Sequence, residues 1–129
     1  MQQPKDNGQV TISVPVGDVI DRLTILEIKK ELIHSSSKLE NINLELDSIN
    51  ADLFNSKVRV ASELVDDLRE TNRRIYNLME QIFTENLSDE QYARVSRETV
   101  DLNVVRANLK RQINSVSSSQ LMEEKSYFD

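Results

Sequence analysis

The chain reads as all-α: a bundle of three to four helices built on a long helical hairpin, with a short extended N-terminal segment. Three observations predict this. No glycine or proline follows Gly17 in the 129-residue chain, so everything after it lacks the two residues that most often interrupt helices. Apolar residues in that region recur at spacings of three and four, the period of a helix face. The composition is 38% hydrophobic and 29% charged, with no tryptophan, as in a charged bundle with a core of Leu, Ile and Val.

Residues 1–9 are polar and read as a flexible leader, which leaves residues 10–129 as a single helical domain including the C-terminal tail. Residues 10–16, VTISVPV, alternate apolar with polar and read as an edge strand or a strap ending at Pro15 and Gly17. A first helix then starts at Gly17 or Asp18 and stops near His34, which sits as a C-terminal cap beside Ser35, Ser36 and Ser37. Ser37 and Glu40 have the spacing of a capping box for the second helix. Its apolar residues Leu39, Ile42, Leu46, Ile49 and Leu53 step by three and four, the seam of a helix that crosses a partner at a shallow angle.

Phe54, Asn55 and Ser56 mark the one interruption before the next stretch, as either a turn or a kink. Beyond them Ala61, Leu64, Leu68, Ile75, Leu78 and Ile82 keep the period, with Asn72 inside the seam. The second and third helices are expected to form the hairpin, flanked by the first and fourth. Residues 84–87 break the pattern, and Ser88 with Gln91 announces the last helix, which carries Tyr92, Val95, Leu102, Val105, Leu109, Ile113 and Val116.

The composition excludes more chemistry than any motif proves. Phosphate-cradling loops, dinucleotide fingerprints and nucleophile elbows need glycines that are absent here. A net charge of −6 argues against nucleic acid or an anionic membrane as partner, and zero cysteines remove disulfides and thiolate chemistry. The N-terminus lacks the charged-then-apolar order of a secretory signal and no apolar run spans a bilayer, so a cytoplasmic location is expected.

Candidate functional residues cluster in the first and last helices. On a helical wheel the first helix has two apolar faces, Val19, Ile20, Leu23, Leu26 and Ile33 on one and Ile25, Ile28 and Leu32 on the other, so neighbours should cover both. Asp21 then falls beside Ile28, with Thr24 and Glu27 at the margins, where a carboxylate must find donors or stay wet. The plainer reading pairs these residues with Arg22 or Lys30; the sharper one makes them a polar pocket. In the last helix Asn103, Arg106, Lys110 and Asn114 share a face, either a solvated basic stripe or a row that receives an anion. Arg69, Arg73 and Arg74 read as surface partners of Asp66, Asp67 and Glu70. Asn72 is either a register-setting buried amide or a surface excursion. Carboxylate pairs at Asp18/Asp21, Asp67/Glu70 and Glu98/Asp101 have the spacing that all-helical pyrophosphohydrolases use for Mg²⁺, a spacing that an acid-rich chain also produces by chance.

Two stretches, residues 12–29 (ISVPV…G-x-x-x-D-R-L-T-I-L-E-I-K) and residues 123–127 (EEKSY), together resemble an uncharacterised family of small bacterial and phage proteins, a domain of unknown function. Residues 68–76 (L-x-x-x-N-x-x-I-Y) and 103–114 (N-x-x-R-A-x-x-K-R-x-I-N) are also similar to its pattern. The resemblance implies a small, helical, cytoplasmic protein, found in some cases near sugar-transfer or tetratricopeptide-repeat proteins, and it implies no activity. It points to Asp21, Thr24, Glu27 and Lys29, to Asn103, Arg106 and Lys110, and to Glu124, Lys125, Ser126 and Tyr127. Where the family has an acidic pair beside a central aromatic, this chain has Asn77-Leu78-Met79-Glu80 and keeps only Glu80. The tail after Ser117-Ser118-Ser119 reads either as a disordered end or as a segment that docks back on the bundle; if it docks, Lys125 meets Asp21 or Glu27 and Tyr127 covers the space between the first and last helices.

Three functions are consistent with these features. The first is a non-enzymatic binding or assembly protein, dimeric and without cofactor, with a polar inter-helix cleft of Asp21, Thr24, Glu27, Asn103, Arg106, Lys110, Lys125 and Tyr127 that takes an anionic ligand or a partner segment. The second is a Mg²⁺-dependent nucleotide or sugar-nucleotide pyrophosphohydrolase, which requires at least three converging carboxylates. The third is a coiled-coil adaptor that associates along the Leu39–Leu53 seam.

Overall fold

The computed structural model describes residues 8–117. Among them the chain forms four helices and no strand: α1 (Val16–Leu32), α2 (Ser36–Ser56), α3 (Ser62–Thr84) and α4 (Asp89–Ser117). The all-α bundle expected from the sequence is therefore the observed architecture. Residues 9–15 run into α1 without regular structure; the alternation of VTISV is not used in a strand.

The long hairpin is made by α3 and α4, and α1 lies along both of them. Helix α2 packs on α1 alone. The expected pairing of α2 with α3 is thus corrected: among the described residues α2 does not lie alongside α3, although its Leu53 reaches the core near Leu68. The turn between them follows Ser56, with Lys57 in the left-handed region at φ 54° and its N–H donating to Phe54 O at 3.3 Å. Without a glycine there, a lysine adopts the conformation that ends a helix, at a cost of about 1 kcal/mol.

Three apolar clusters hold the bundle. Ile20, Leu68, Leu109 and Ile113 join α1, α3 and α4, and Val16, Leu23 and Leu64 pack around them. Leu26, Ile42 and Leu46 bind α2 to α1, with Ile33 and Ile49 at the edge. Leu78, Val95 and Leu102 close the far part of the hairpin with Ile75, Ile82 and Leu87. The first helix is buried toward several neighbours at once, as its two apolar faces require, and α2 buries the middle of its 3-4 seam, Ile42 and Leu46, with Leu39, Ile49 and Leu53 half-buried.

Local signals at the helix ends fared unevenly. At α4 the capping box forms as expected: Gln91 N–H donates to Ser88 Oγ at 3.1 Å and Ser88 N–H to Gln91 Oε1 at 2.9 Å. At α2 the cap is Ser35 rather than Ser37, with no side-chain cap bond. At the end of α1 the cap is Ile33, whose N–H reaches Lys29 O at 2.9 Å, and His34 follows it in the exposed connection. No helix among the described residues is long and apolar enough to cross a membrane.

Candidate functional site

Five polar residues are buried in the bundle, and four of them, Asp21, Thr24, Asn72 and Asn114, lie where α1 meets α3 and α4. Asp21, Thr24 and Ile28 are spaced three and four apart on α1, so they form one stripe. That stripe faces the hairpin, and a carboxylate on it has to be satisfied from α3 and α4.

Both helices supply donors. Arg106 of α4 places Nε 2.8 Å from Asp21 Oδ1 and Nη2 on Oδ2, a two-pronged pair. Asn72 of α3 donates its amide to Asp21 Oδ1 and to Thr24 Oγ1, each at 2.9 Å. Thr24 in turn donates to Asp21 O at 2.8 Å, back along its own helix. Asp21 is 6% exposed and Asn72 4%, so three helices converge on one dehydrated carboxylate. Burial by itself raises the Asp21 pKa, and the hydrogen bonds from Arg106 and Asn72 with the charges of Arg106 and Lys110 outweigh it, holding the group below the ordinary carboxylate range.

The network continues toward the start of α1. Lys110 Nζ lies 2.9 Å from Asp18 Oδ1. Asn114 Oδ1 accepts the Gly17 N–H at 2.6 Å. The α1 N-cap is Pro15, which has no side-chain acceptor, so Asn114 caps α1 from another helix. Gly17 makes this approach feasible: a Cβ there would stand 2.5 Å from Lys110 O and 2.9 Å from Asn114 Oδ1. On the outer side, Arg106 Nη1 donates to Asn103 Oδ1 at 3.3 Å, and the Arg106 side chain keeps 30% of its exposure.

The seam therefore unites Asp21, Thr24, Asn103, Arg106 and Lys110 of the sequence-derived candidates. Glu27 is elsewhere. It is held by Arg69 of α3 at 3.2 Å and lines an open groove of about 750 Å³ between α2 and α3, floored by α1, together with Leu23, Lys30, Leu46 and Asp47. Lys125 and Tyr127, and with them the docking of the tail, lie outside the described residues. Asn72 resolves as the buried amide rather than the surface excursion. Gly17 is the site member that helix periodicity did not single out; Asn114 was placed on the row of Arg106 and Lys110, but not as the cap of α1. The available signal was Gly17 placed just after Pro15 at the head of a helix.

The arginines of α3 differ from their expected surface pairing. Arg69 does bond Asp66 at 2.9 Å, but Arg73 pairs with Glu31 of α1 at 2.7 Å and Arg74 with Glu98 of α4 at 3.5 Å. They bridge helices because α3 packs against both α1 and α4, a position that i,i+3 and i,i+4 spacing does not register. Among the described residues no group of three or more His, Cys, Asp or Glu side chains is arranged to hold a metal. Asp18 and Asp21 each face a cation of α4 instead.

Chemically, the seam can position a guanidinium and an ammonium at the edge of a dehydrated polar network, with carboxylates behind them. It offers donors and charge. No curated protein and no solved structure matches the chain significantly. A family model does match, over residues 9–129, nearly the whole chain. The chain belongs to DUF6165, a family of unknown function.

Proposed function

We propose that this is a non-enzymatic binding or assembly protein, and that the α1–α4 seam around Arg106 and Lys110 is where it meets its ligand or partner. The observation that carries the reading is the Asp21–Arg106–Asn72 network. A bundle core gains nothing from a buried ion pair that well-packed apolar residues would not also provide. This network nevertheless spends its hydrogen bonds on fixing one arginine at the surface edge.

The partner that fits best is a polypeptide segment or another molecule carrying both an acceptor and apolar surface. Asp21 and Asp18 already offset the two cations, so the seam lacks the net positive charge that would hold a small free anion strongly. Lys125 and Tyr127 stay in this reading as residues of the same chain that would complete the site.

The test is a thermal-shift series on the full chain with phosphate, nucleotides, sugar nucleotides and sugar phosphates, each with and without Mg²⁺, since a ligand selective for the folded state raises the midpoint by mass action. A shift that needs no Mg²⁺ and is lost in Lys110→Met supports ligand binding at the seam. A shift that appears only with Mg²⁺, accompanied by turnover, would replace this reading with the hydrolase. No shift at all narrows the reading to a protein partner.

A further inference from the structure

Among the described residues, 10–14, Val-Thr-Ile-Ser-Val, form an exposed apolar segment next to the bundle: Val10 is 85% and Ile12 71% exposed, and Val14 also faces solvent. Their backbone groups make no hydrogen bond among the described residues. An apolar segment whose backbone groups are unpaired is a template for strand addition. The segment is tethered close to the bundle, because Pro15 is buried and its carbonyl accepts from Asp18 and Val19 at 3.1 and 3.4 Å at the head of α1.

We propose that this segment is a self-association site and that its partner is the same segment of a second copy, paired antiparallel about Ile12. The pattern is a chemical palindrome. With Ile12 opposite Ile12, Val10 falls opposite Val14 and Thr11 opposite Ser13. The three apolar side chains of each copy then share one face and the hydroxyls share the other. Any shift of register by one residue breaks both faces.

Two further features favour a second copy over a foreign sheet edge. Residues 7–17 carry no charge in a chain of net −6, so two copies approach here without setting like charges opposite each other. Pro15 lacks an N–H, which ends the ladder where the helix begins and limits it to a short ribbon. A ribbon this short is marginal alone, so the dimer is weak and concentration-dependent. The inference sharpens the expectation of a dimer and does not depend on ligand binding at the α1–α4 seam.

The chain has no cysteine, which makes a direct test available. In Ile12→Cys the only thiols lie opposite each other across the axis, with Cα atoms about 5 Å apart, within disulfide reach. Phe83→Cys places an equally exposed thiol at the far end of the hairpin as the collision control. The expected result is at least about tenfold faster oxidative dimerisation of the full-length Ile12→Cys chain than of the control, and at least about tenfold weaker association of Ile12→Glu by sedimentation equilibrium. Ile12 is exposed, so both variants should keep the native helical circular dichroism. Equal cross-linking rates, a wild-type chain that stays monomeric into the high micromolar range, or a dimer that survives Ile12→Glu would each overturn the proposal. In that last case the dimer would use another surface.

Discussion

Helices α1 and α2 are neighbours of similar length, 17 and 21 residues, and they occupy opposite positions in the energetics of the fold. Helix α1 lies against all three others, whereas α2 lies against α1 alone. The helix with the cleaner 3-4 apolar seam is the peripheral one. The helix whose apolar residues straddle two faces, with a carboxylate between them, is the centre. A regular stripe identifies a helix with one neighbour; a central helix must carry apolar residues on more than one side, which blurs its periodicity. Polar residues on its enclosed sides, such as Asp21 and Thr24, are shut off from water, so they are paired with groups of the helices that enclose them.

The sharpest way to break this comparison is a matched pair of truncations. Ile28→Ala removes a side chain that is 1% exposed on α1 and should cost about 3–4 kcal/mol in urea unfolding, whereas Ile42→Ala on α2 should cost about 2. Hydrogen exchange should show α2 opening before the rest of the bundle in the second variant. Equal costs and uniform protection would mean that α2 is as integral as α1.

Next is Gly17→Ala. Its new Cβ would press on a backbone carbonyl of α4, which cannot rotate away, and the loss should be about 2–3 kcal/mol. A neutral outcome would show that the α1–α4 approach is looser than its geometry. Of comparable size is Asp21→Asn, which leaves Arg106 without its carboxylate. Because Arg106 is only partly buried, the expected loss at neutral pH is about 2–3 kcal/mol, less than for a fully enclosed pair.

The same group sets a pH dependence. The folded Asp21 pKa lies below its ordinary value, so the unfolded chain takes up the proton more readily and acid favours unfolding. Its contribution is complete above about pH 4 and is lost as the pH falls through the lower folded value. Asp21→Asn should flatten that limb of the stability curve; an unchanged acid limb would assign it to other carboxylates. The smallest effect is expected for Glu45→Ala. Glu45 joins α2 to Arg22 of α1 through a pair whose arginine is largely exposed, and its removal should change stability by less than about 0.5 kcal/mol. A larger loss would mean that charge, rather than Leu26, Ile42 and Leu46, holds α2 in place.

Legibility in the sequence followed the range of the interaction. The box at Ser88 and Gln91 could be read because both its members lie within one turn. Asp21, Thr24, Arg106 and Lys110 were picked out from helix faces, and the packing brings them to one seam, where Asp21 pairs with Arg106 and Asp18 with Lys110. Glu27 carried the same suspicion and landed in a different groove, since a margin residue is turned to whichever neighbour lies on that side. Asn72 stood undecided because a polar residue in an apolar stripe looks the same whether a partner or water meets it. Asn114 was one more amide on a polar row until Gly17 arrived beside it.

By itself, then, the sequence determined the helical class, the period of the stripes and the box at Ser88 and Gln91, because hydrogen bonding within a helix, capping and the period of 3.6 are local properties of the chain; it did not settle which stripe positions are buried, since Val105 and Val116 of α4 stay 44% and 39% exposed. Only the tertiary structure decided that α4 rather than α2 completes the hairpin with α3, and that Asp21 answers to Arg106 and Asn72 from sites 85 and 51 residues away. Those choices depend on how the connections at residues 33–35 and 57–61 aim the helices, and on which set of stripes buries the most apolar surface while leaving no carboxylate unpaired. These are comparisons among whole packings, and no stretch of the chain holds them alone.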